Sequence, residues 1–325
     1  MILLMTRQSR ISYSLFFLSF LYSQLQQEMA QSVSLVLSSG GARGYAHIGV
    51  IRAIEQAGFT ITSVTGSSMG AVVGGIYAAG GLDKFAEWAC KLERTDVFKL
   101  YDFVFSSQGL IRGERVFKNI ESYIPDRNIE DLPIPFRALA TDLTSQKEIV
   151  FSSGSLYSAL RASSAIPAVV KPAELGDLEL LDGGILSPLP IRFAPRRPGD
   201  IVVAVDVNAR TPYDQSRKTE IEIAEDQKFN LHLEKLAKRW FWKDDHRMNS
   251  SRKKLGFFDL MMKSIDMMQD RITEDILQQH PPEILVQISR GTSSTFDYYK
   301  AKKLIEEGKM AFGQALQKYD AREFA

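Results

Sequence analysis

With 325 residues, 45% of them hydrophobic, the chain is long and apolar enough to bury the core of one large α/β domain with an appendage. Its 40 basic and 39 acidic side chains leave a net charge of +1, so no global field steers a polyanion and nucleic acid is not an expected partner. One cysteine, Cys90, allows no internal disulfide; followed by Lys91-Leu92, it reads as a core or half-buried helix residue. No Cys/His cluster has metal-ligand spacing, so neither a metal nor another cofactor is expected.

Residues 1–30 form an apolar N-terminal segment. Arg7 and Arg10 precede the run from Ile11 to Tyr22, an arrangement like the n- and h-regions of a signal peptide and short for a membrane span. A clean small-x-small cleavage site does not follow, Gln24 to Gln27 is polar, and Met29 stands just before the first strand. A signal sequence, an inner-membrane anchor and a true start at Met29 all fit. The expected location is cytoplasmic or peripheral at the inner membrane, with export as the alternative.

Residues 31–210 read as the core. Val33 to Leu37 suits a buried strand, and it runs into Ser38-Ser39-Gly40-Gly41-Ala42-Arg43-Gly44. Tyr45 to Ala57 then reads as a helix, with Ile48, Ile51 and Ile54 at helical spacing and Gly58 as a stop signal. Consecutive glycines let backbone N–H groups turn inward together as an anion-binding nest. A dinucleotide-binding loop would want G-x-G-x-x-G and an acidic residue further on. Here Ser39 replaces the first glycine, and Ile61 to Thr65 runs straight into Gly66.

That β-branched run leads into Gly66-Ser67-Ser68-Met69-Gly70, a G-x-S-x-G, and then into the small-residue segment Ala71 to Ala79. Strand, sharp turn and helix are the context of a nucleophile elbow. Further along, Leu178 to Leu181 is closed by Asp182-Gly183-Gly184. Asp-Gly alone is a turn signal; beside a candidate serine nucleophile it can instead be a base held at a strand end. Phe136 to Ala140 and Ile201 to Val207 complete a set of buried strands. Their alternation with helices predicts an α/β fold, a mainly parallel central sheet with helices on both faces.

Residues 211–255 change in character, to a polar and basic excursion. Lys235, Lys238, Arg239, Lys243, Arg247, Arg252, Lys253 and Lys254 surround Trp240, Phe241 and Trp242. This reads either as a solvated face or as a peripheral membrane contact, in which bases meet anionic lipid and the aromatic rings sit at headgroup depth. Residues 256–325 then complete the domain. Phe258, Met261, Met262, Ile265, Met268, Ile272 and Ile276 follow helical spacing, as core packing or as a lip of the site. Glu283 to Ile288 reads as a late strand. Tyr298 to Gln317 reads as a closing helix with Leu304, Ala311, Ala315 and Leu316 on one side.

Taken in order, the glycine-rich loop Gly40 to Gly44, the elbow Gly66 to Gly70 and the Asp182-Gly183-Gly184 segment resemble the patatin-like phospholipases, specifically their compact bacterial members. Ala140 to Leu143 and Arg161 to Pro167 also look like family segments. The resemblance covers Val33 to Val207 and continues more loosely over Pro281 to Leu316. Two departures stand out: Ser39 where many members have glycine, and Ser187-Pro188 where Asn-Pro is frequent. The resemblance implies a patatin-like three-layer fold and a Ser68–Asp182 dyad. In it Ser68 is the nucleophile and Asp182 the general base, and backbone N–H groups of Gly40, Gly41, Ala42, Arg43 and Gly44 form the oxyanion hole. It further implies hydrolysis of acyl esters of lipids without a metal.

A dyad makes physical demands. A serine hydroxyl needs a base, and a carboxylate in water is a weak one, so Asp182 should be buried against walls such as Leu180 and Leu181. Two other readings remain. One is an α/β-hydrolase triad, in chain order Ser68, Asp182 and one of His232, His246 or His280. The other is a catalytically idle lipid- or acyl-binding protein on the same fold.

Overall fold

The structure, a computed structural model, describes residues 31–100, 102, 111–213 and 257–323. The apolar N-terminal segment and the basic, aromatic stretch Lys235 to Lys254 lie outside these residues. Among the described residues eight strands form one sheet: β1 (Ser32–Leu37), β2 (Thr60–Ser67), β3 (Phe136–Asp142), β4 (Lys147–Phe151), β5 (Ala173–Leu175), β6 (Leu178–Asp182), β7 (Ile201–Ala209) and β8 (Ile284–Ser289). Their order is β5-β6-β3-β2-β1-β7-β8, with β4 paired to β3. The pairs from β3 through β2, β1 and β7 to β8 are parallel, whereas β4, β5 and β6 pair antiparallel. The chain is thus the expected α/β architecture, a mostly parallel sheet with an antiparallel margin.

The central strands are buried along nearly their whole length because both of their faces are covered. Val33, Leu35 and Leu37 of β1 share one cluster with Ile48, Ile51 and Ile54 of helix α1 (Ala46–Gln56), with Val73 and Ile76 of α2 (Met69–Ala78), and with Leu304 and Phe312 of α8 (Ala301–Glu323). Val36 points the other way, into a second cluster with Val202, Ala204 and Ile276, the last from α7 (Phe257–Gln279). Four shorter helices follow α2: α3 (Leu82–Cys90), α4 (Arg94–Leu100), α5 (Glu114–Glu121) and α6 (Leu156–Ser163).

Two expectations need correction. Cys90, the last residue of α3, is exposed, because the buried stripe of that helix runs through Leu82, Phe85, Ala86 and Ala89. The methionine-rich stripe of α7 is core at its C-terminal end, where Ile272 and Ile276 pack on the sheet. Nearer its start, Met267 and Met268 are exposed and Met262 packs only against a small cluster with Ile111, Val169 and Val170.

The register of β3 decides where the site forms. β4 pairs with Ala138 to Asp142, which leaves one edge of β3 for β2 and β6 together. β2 ends with Ser67 opposite Leu139, and antiparallel β6 ends with Asp182 opposite Ala140, the next residue. The two strands therefore meet tip to tip, and Ser68 and Asp182 are brought together by sheet geometry.

Candidate active site

Ser68 sits at the turn between β2 and α2 with φ 54° and ψ −125°, a conformation that L-residues seldom occupy and that the surroundings must enforce. Tight packing supplies the enforcement. A Cβ at Gly66 would lie 2.5 Å from the Ala71 nitrogen, and one at Gly70 would run into the carbonyls of Leu37 and Ser38. Only glycines let the turn press this closely against β1. Met69 packs across Gly44, holding the elbow against the glycine loop, and Ser67 is fully buried. The Ser68 N–H donates to Ser163 Oγ at 2.9 Å, so the end of α6 braces the same turn. The Arg161 to Pro167 segment is legible in the sequence, but this contact is not, because it spans 95 residues.

The Ser68 hydroxyl donates to Asp182 Oδ2 at 2.5 Å, and the Gly184 N–H donates to Oδ1 at 2.7 Å. Ser68 is 4% exposed and Asp182 5%. Leu180, two residues back on the same face of β6, is fully buried with Ala140 and Ala162. Burial pushes the Asp182 carboxyl up to about 6, against the lowering effect of the Ser68 and Gly184 hydrogen bonds. The lack of room at Gly183, where a Cβ would overlap the Leu139 carbonyl, explains the first glycine after the acid.

The glycine loop closes the third side. Gly40 precedes a 3-10 turn, Gly41–Tyr45, and Gly41 has φ +55° with Thr295 packed where a side chain would go. Some backbone N–H groups at this loop are already engaged. The Ala42 N–H donates to the Thr295 carbonyl at 2.8 Å and the Ser39 N–H to the Pro188 carbonyl at 2.9 Å. Among the described residues, the Gly40 and Gly41 N–H groups have no such partner. Arg43 turns its side chain inward, 4% exposed, toward Asn208, the Ser293 carbonyl and Thr295. Burial pulls its guanidinium down to about 10, with Asp266 the largest opposing charge.

His47 is fully buried in α1, with Nε2 2.9 Å from the Ser38 carbonyl. Burial pulls it down to about 4. It packs beside Gly44 rather than between Ser68 and Asp182. His280 is exposed just past the end of α7, and His232 and His246 lie outside the described residues. Both Asp182 oxygens already hold partners, so no described histidine stands where a triad needs one. Among the described residues no group of His, Cys, Asp and Glu could hold a metal ion, and none of their helices is long and apolar enough to cross a membrane.

A strained serine turn, a buried acid and a glycine loop stand together at the carboxyl end of the parallel strands of an α/β protein. The chain belongs to the patatin-like phospholipase family, whose sequence model matches residues 35–195. An uncharacterised NTE family protein of Mycobacterium tuberculosis is 32% identical over 340 residues, covering 89% of this chain and 92% of that protein. The human patatin-like phospholipase domain-containing protein 6 is 32% identical over 194 residues, covering 57% of this chain and 14% of its own length. A solved structure, VipD from Legionella pneumophila, aligns over 89% of this chain and 67% of its own with 14% identity and a TM-score of 0.45.

Proposed function

We propose that the protein is a lipid acyl hydrolase of the phospholipase A, lysophospholipase or esterase type, working through Ser68 and Asp182. The single observation that carries this reading is the 2.5 Å hydrogen bond from a serine in a strained elbow to a buried carboxylate. Ser68 Oγ attacks the acyl carbonyl carbon while its proton passes to Asp182 Oδ2. The carbonyl π pair moves onto oxygen, and the oxyanion meets the Gly40 and Gly41 N–H groups. Such donors are worth about 3 kcal/mol each where they have been removed singly. Collapse expels the alcohol or lysolipid, which takes the proton from Asp182. Water then repeats the sequence on the acyl-enzyme and releases the fatty acid.

The acid can serve as base because burial raises its proton affinity, while the serine is held in line with it. Family membership supports a lipid acyl substrate, and the fly relatives bear the name neuropathy target esterase. An idle binding protein is disfavoured because the elbow strain and the buried charge both cost stability and serve no purpose in passive binding.

The test is Ser68→Ala on a p-nitrophenyl ester and a phospholipid panel, with fluorophosphonate labelling alongside. Turnover should fall by at least about 10³-fold, labelling should vanish, and the thermal midpoint should change little. Turnover at the wild-type rate in folded Ser68→Ala would end the assignment.

A further inference from the structure

We propose that Asn208 is a positioning residue for the glycine loop: its side-chain amide ties Ser39 to Arg43 across Gly40 to Ala42 and so sets the direction of the Gly40 and Gly41 N–H groups. The inference rests on the acyl-hydrolase reading above and adds to it a residue on a distant strand.

Asn208 lies on β7, at a defect in the sheet. Asp206 pairs with Gln287 of β8 and Ala209 with Ser289, so Val207 and Asn208 together face one residue, Ile288. That is a β-bulge, which re-aims side chains and frees backbone groups. Here the backbone N–H groups of both residues are met locally. The Val207 N–H donates to Ser38 Oγ at 3.1 Å and the Asn208 N–H to Asp206 Oδ1 at 2.9 Å. The bulge is thus fastened to the chain just before the glycine loop and turns two side chains onto that loop.

The contacts of the amide are complementary at both ends. Oδ1 accepts from Arg43 Nη2 at 2.7 Å and Nε at 3.1 Å, while Nδ2 donates to the Ser39 carbonyl at 2.7 Å. A guanidinium can only donate and a carbonyl can only accept. Neither end of the amide can therefore be exchanged for the other, and no other short side chain offers one acceptor and one donor so placed. Between the clamped ends, Gly40 rests directly on the bulge. A Cβ there would overlap Val207 and lie 3.4 Å from Asn208 Oδ1. Arg43 is further held by the Ser293 carbonyl at 3.1 Å and Thr295 Oγ1 at 3.4 Å, which makes it a fixed anchor rather than a mobile surface arginine. The two amides left without protein partners are thereby framed by a rigid rim, and displacement of about 1 Å at such a site can cost about 10²-fold in rate.

The experiment uses the full chain, with kcat and KM on a p-nitrophenyl ester, fluorophosphonate labelling rates and thermal midpoints for wild type, Asn208→Ala, Asn208→Asp and Ser68→Ala. Asn208→Asp is close in shape and keeps an acceptor for Arg43, but it cannot donate to Ser39, so it breaks one end of the clamp in a folded protein. Both Asn208 variants should lose about 10- to 100-fold in kcat with KM within about threefold, because the loop acts on the transition state more than on the bound ester. Labelling should slow in parallel. A kcat within about twofold of wild type for Asn208→Asp, or a loss confined to KM, would overturn the proposal. If Asn208→Ala fails to fold, Asn208→Asp decides alone. Ser68→Ala separates the two levels: an inactive Ser68→Ala beside a fully active Asn208→Asp refutes the clamp and leaves the hydrolase reading standing, whereas an active Ser68→Ala refutes the reading itself.

Discussion

In the proposed mechanism Asp182 has to be a base strong enough to take a proton from serine and yet ionised at the working pH. In water a carboxylate satisfies only the second condition; burial moves it toward the first, to about 6. The consequence is a rate that depends on a single ionisation in the mildly acidic range. Asp182 is the competent base only when deprotonated, so kcat/KM on a neutral ester should rise with pH through about 6 and level off above it. Each pH unit below that point should cost about tenfold. A profile flat from pH 5 to 8 would mean that some other group sets the reactive ionisation. Asp182→Asn keeps an acceptor for the Gly184 N–H but cannot take the proton, and it should lower turnover by orders of magnitude at every pH.

The elements that hold these residues depend on close backbone approach, and α1 against α8 is the clearest case. A Cβ at Gly308 of α8 would overlap the Ala46 carbonyl, and one at Gly49 of α1 would overlap the Ile305 carbonyl. Gly313, on the same helix, has nothing within 4 Å of that position. Gly308→Ala should therefore destabilise by about 1–3 kcal/mol or more through overpacking, whereas Gly313→Ala should stabilise by up to about 1 kcal/mol through helix propensity. Denaturant melts of the two variants check the contrast, and equal effects would show that the crossing is not tight. How far such elements could be read beforehand follows from their burial. β1, β2, β3 and β7 show as apolar or β-branched runs because they lie inside the sheet, β8 shows by its alternating buried residues although it ends the sheet, and α1 and α8 show by their periodicity. β4 and β5 are short and half-exposed or exposed throughout, so burial leaves little imprint on their sequences. In the site, the elbow serine and the acid were legible as local motifs, and their pairing came from resemblance. Ser163, Thr295 and Asn208 were not legible, because each acts through a contact between chain segments that sequence spacing does not relate. The engagement of the Ala42 N–H has the same origin, since its acceptor, the Thr295 carbonyl, stands more than 250 positions along the chain.

At the scale of the whole molecule, two buried groups near the elbow act on stability in opposite directions. Asp182 is raised from 3.8 to about 6, so its contribution favours the fold below 3.8 and is lost as pH rises through about 6. His47 is lowered from 6.5 to about 4, so its contribution favours the fold above 6.5 and is lost as pH falls through about 4. The two windows overlap, and the displacements are similar in size. Acidification from pH 6.5 to 4 should therefore relieve one burial cost while imposing the other, and the pair together should leave the midpoint of thermal unfolding nearly unchanged. Removing either partner exposes the other. Asp182→Asn, which carries no charge to bury, should be more stable than wild type at pH 7, by up to about 3 kcal/mol. It should lose that advantage as the pH is lowered toward 4. His47→Gln should do the reverse, gaining on wild type as the solution is acidified. Relative shifts on the order of 5 °C are expected across the window, read by thermal melts of the three proteins at half-unit pH steps. Curves for Asp182→Asn and wild type that run parallel from pH 4 to 7 would show that Asp182 is not held above its ordinary value, and with it would fall the argument that burial equips this carboxylate as a base.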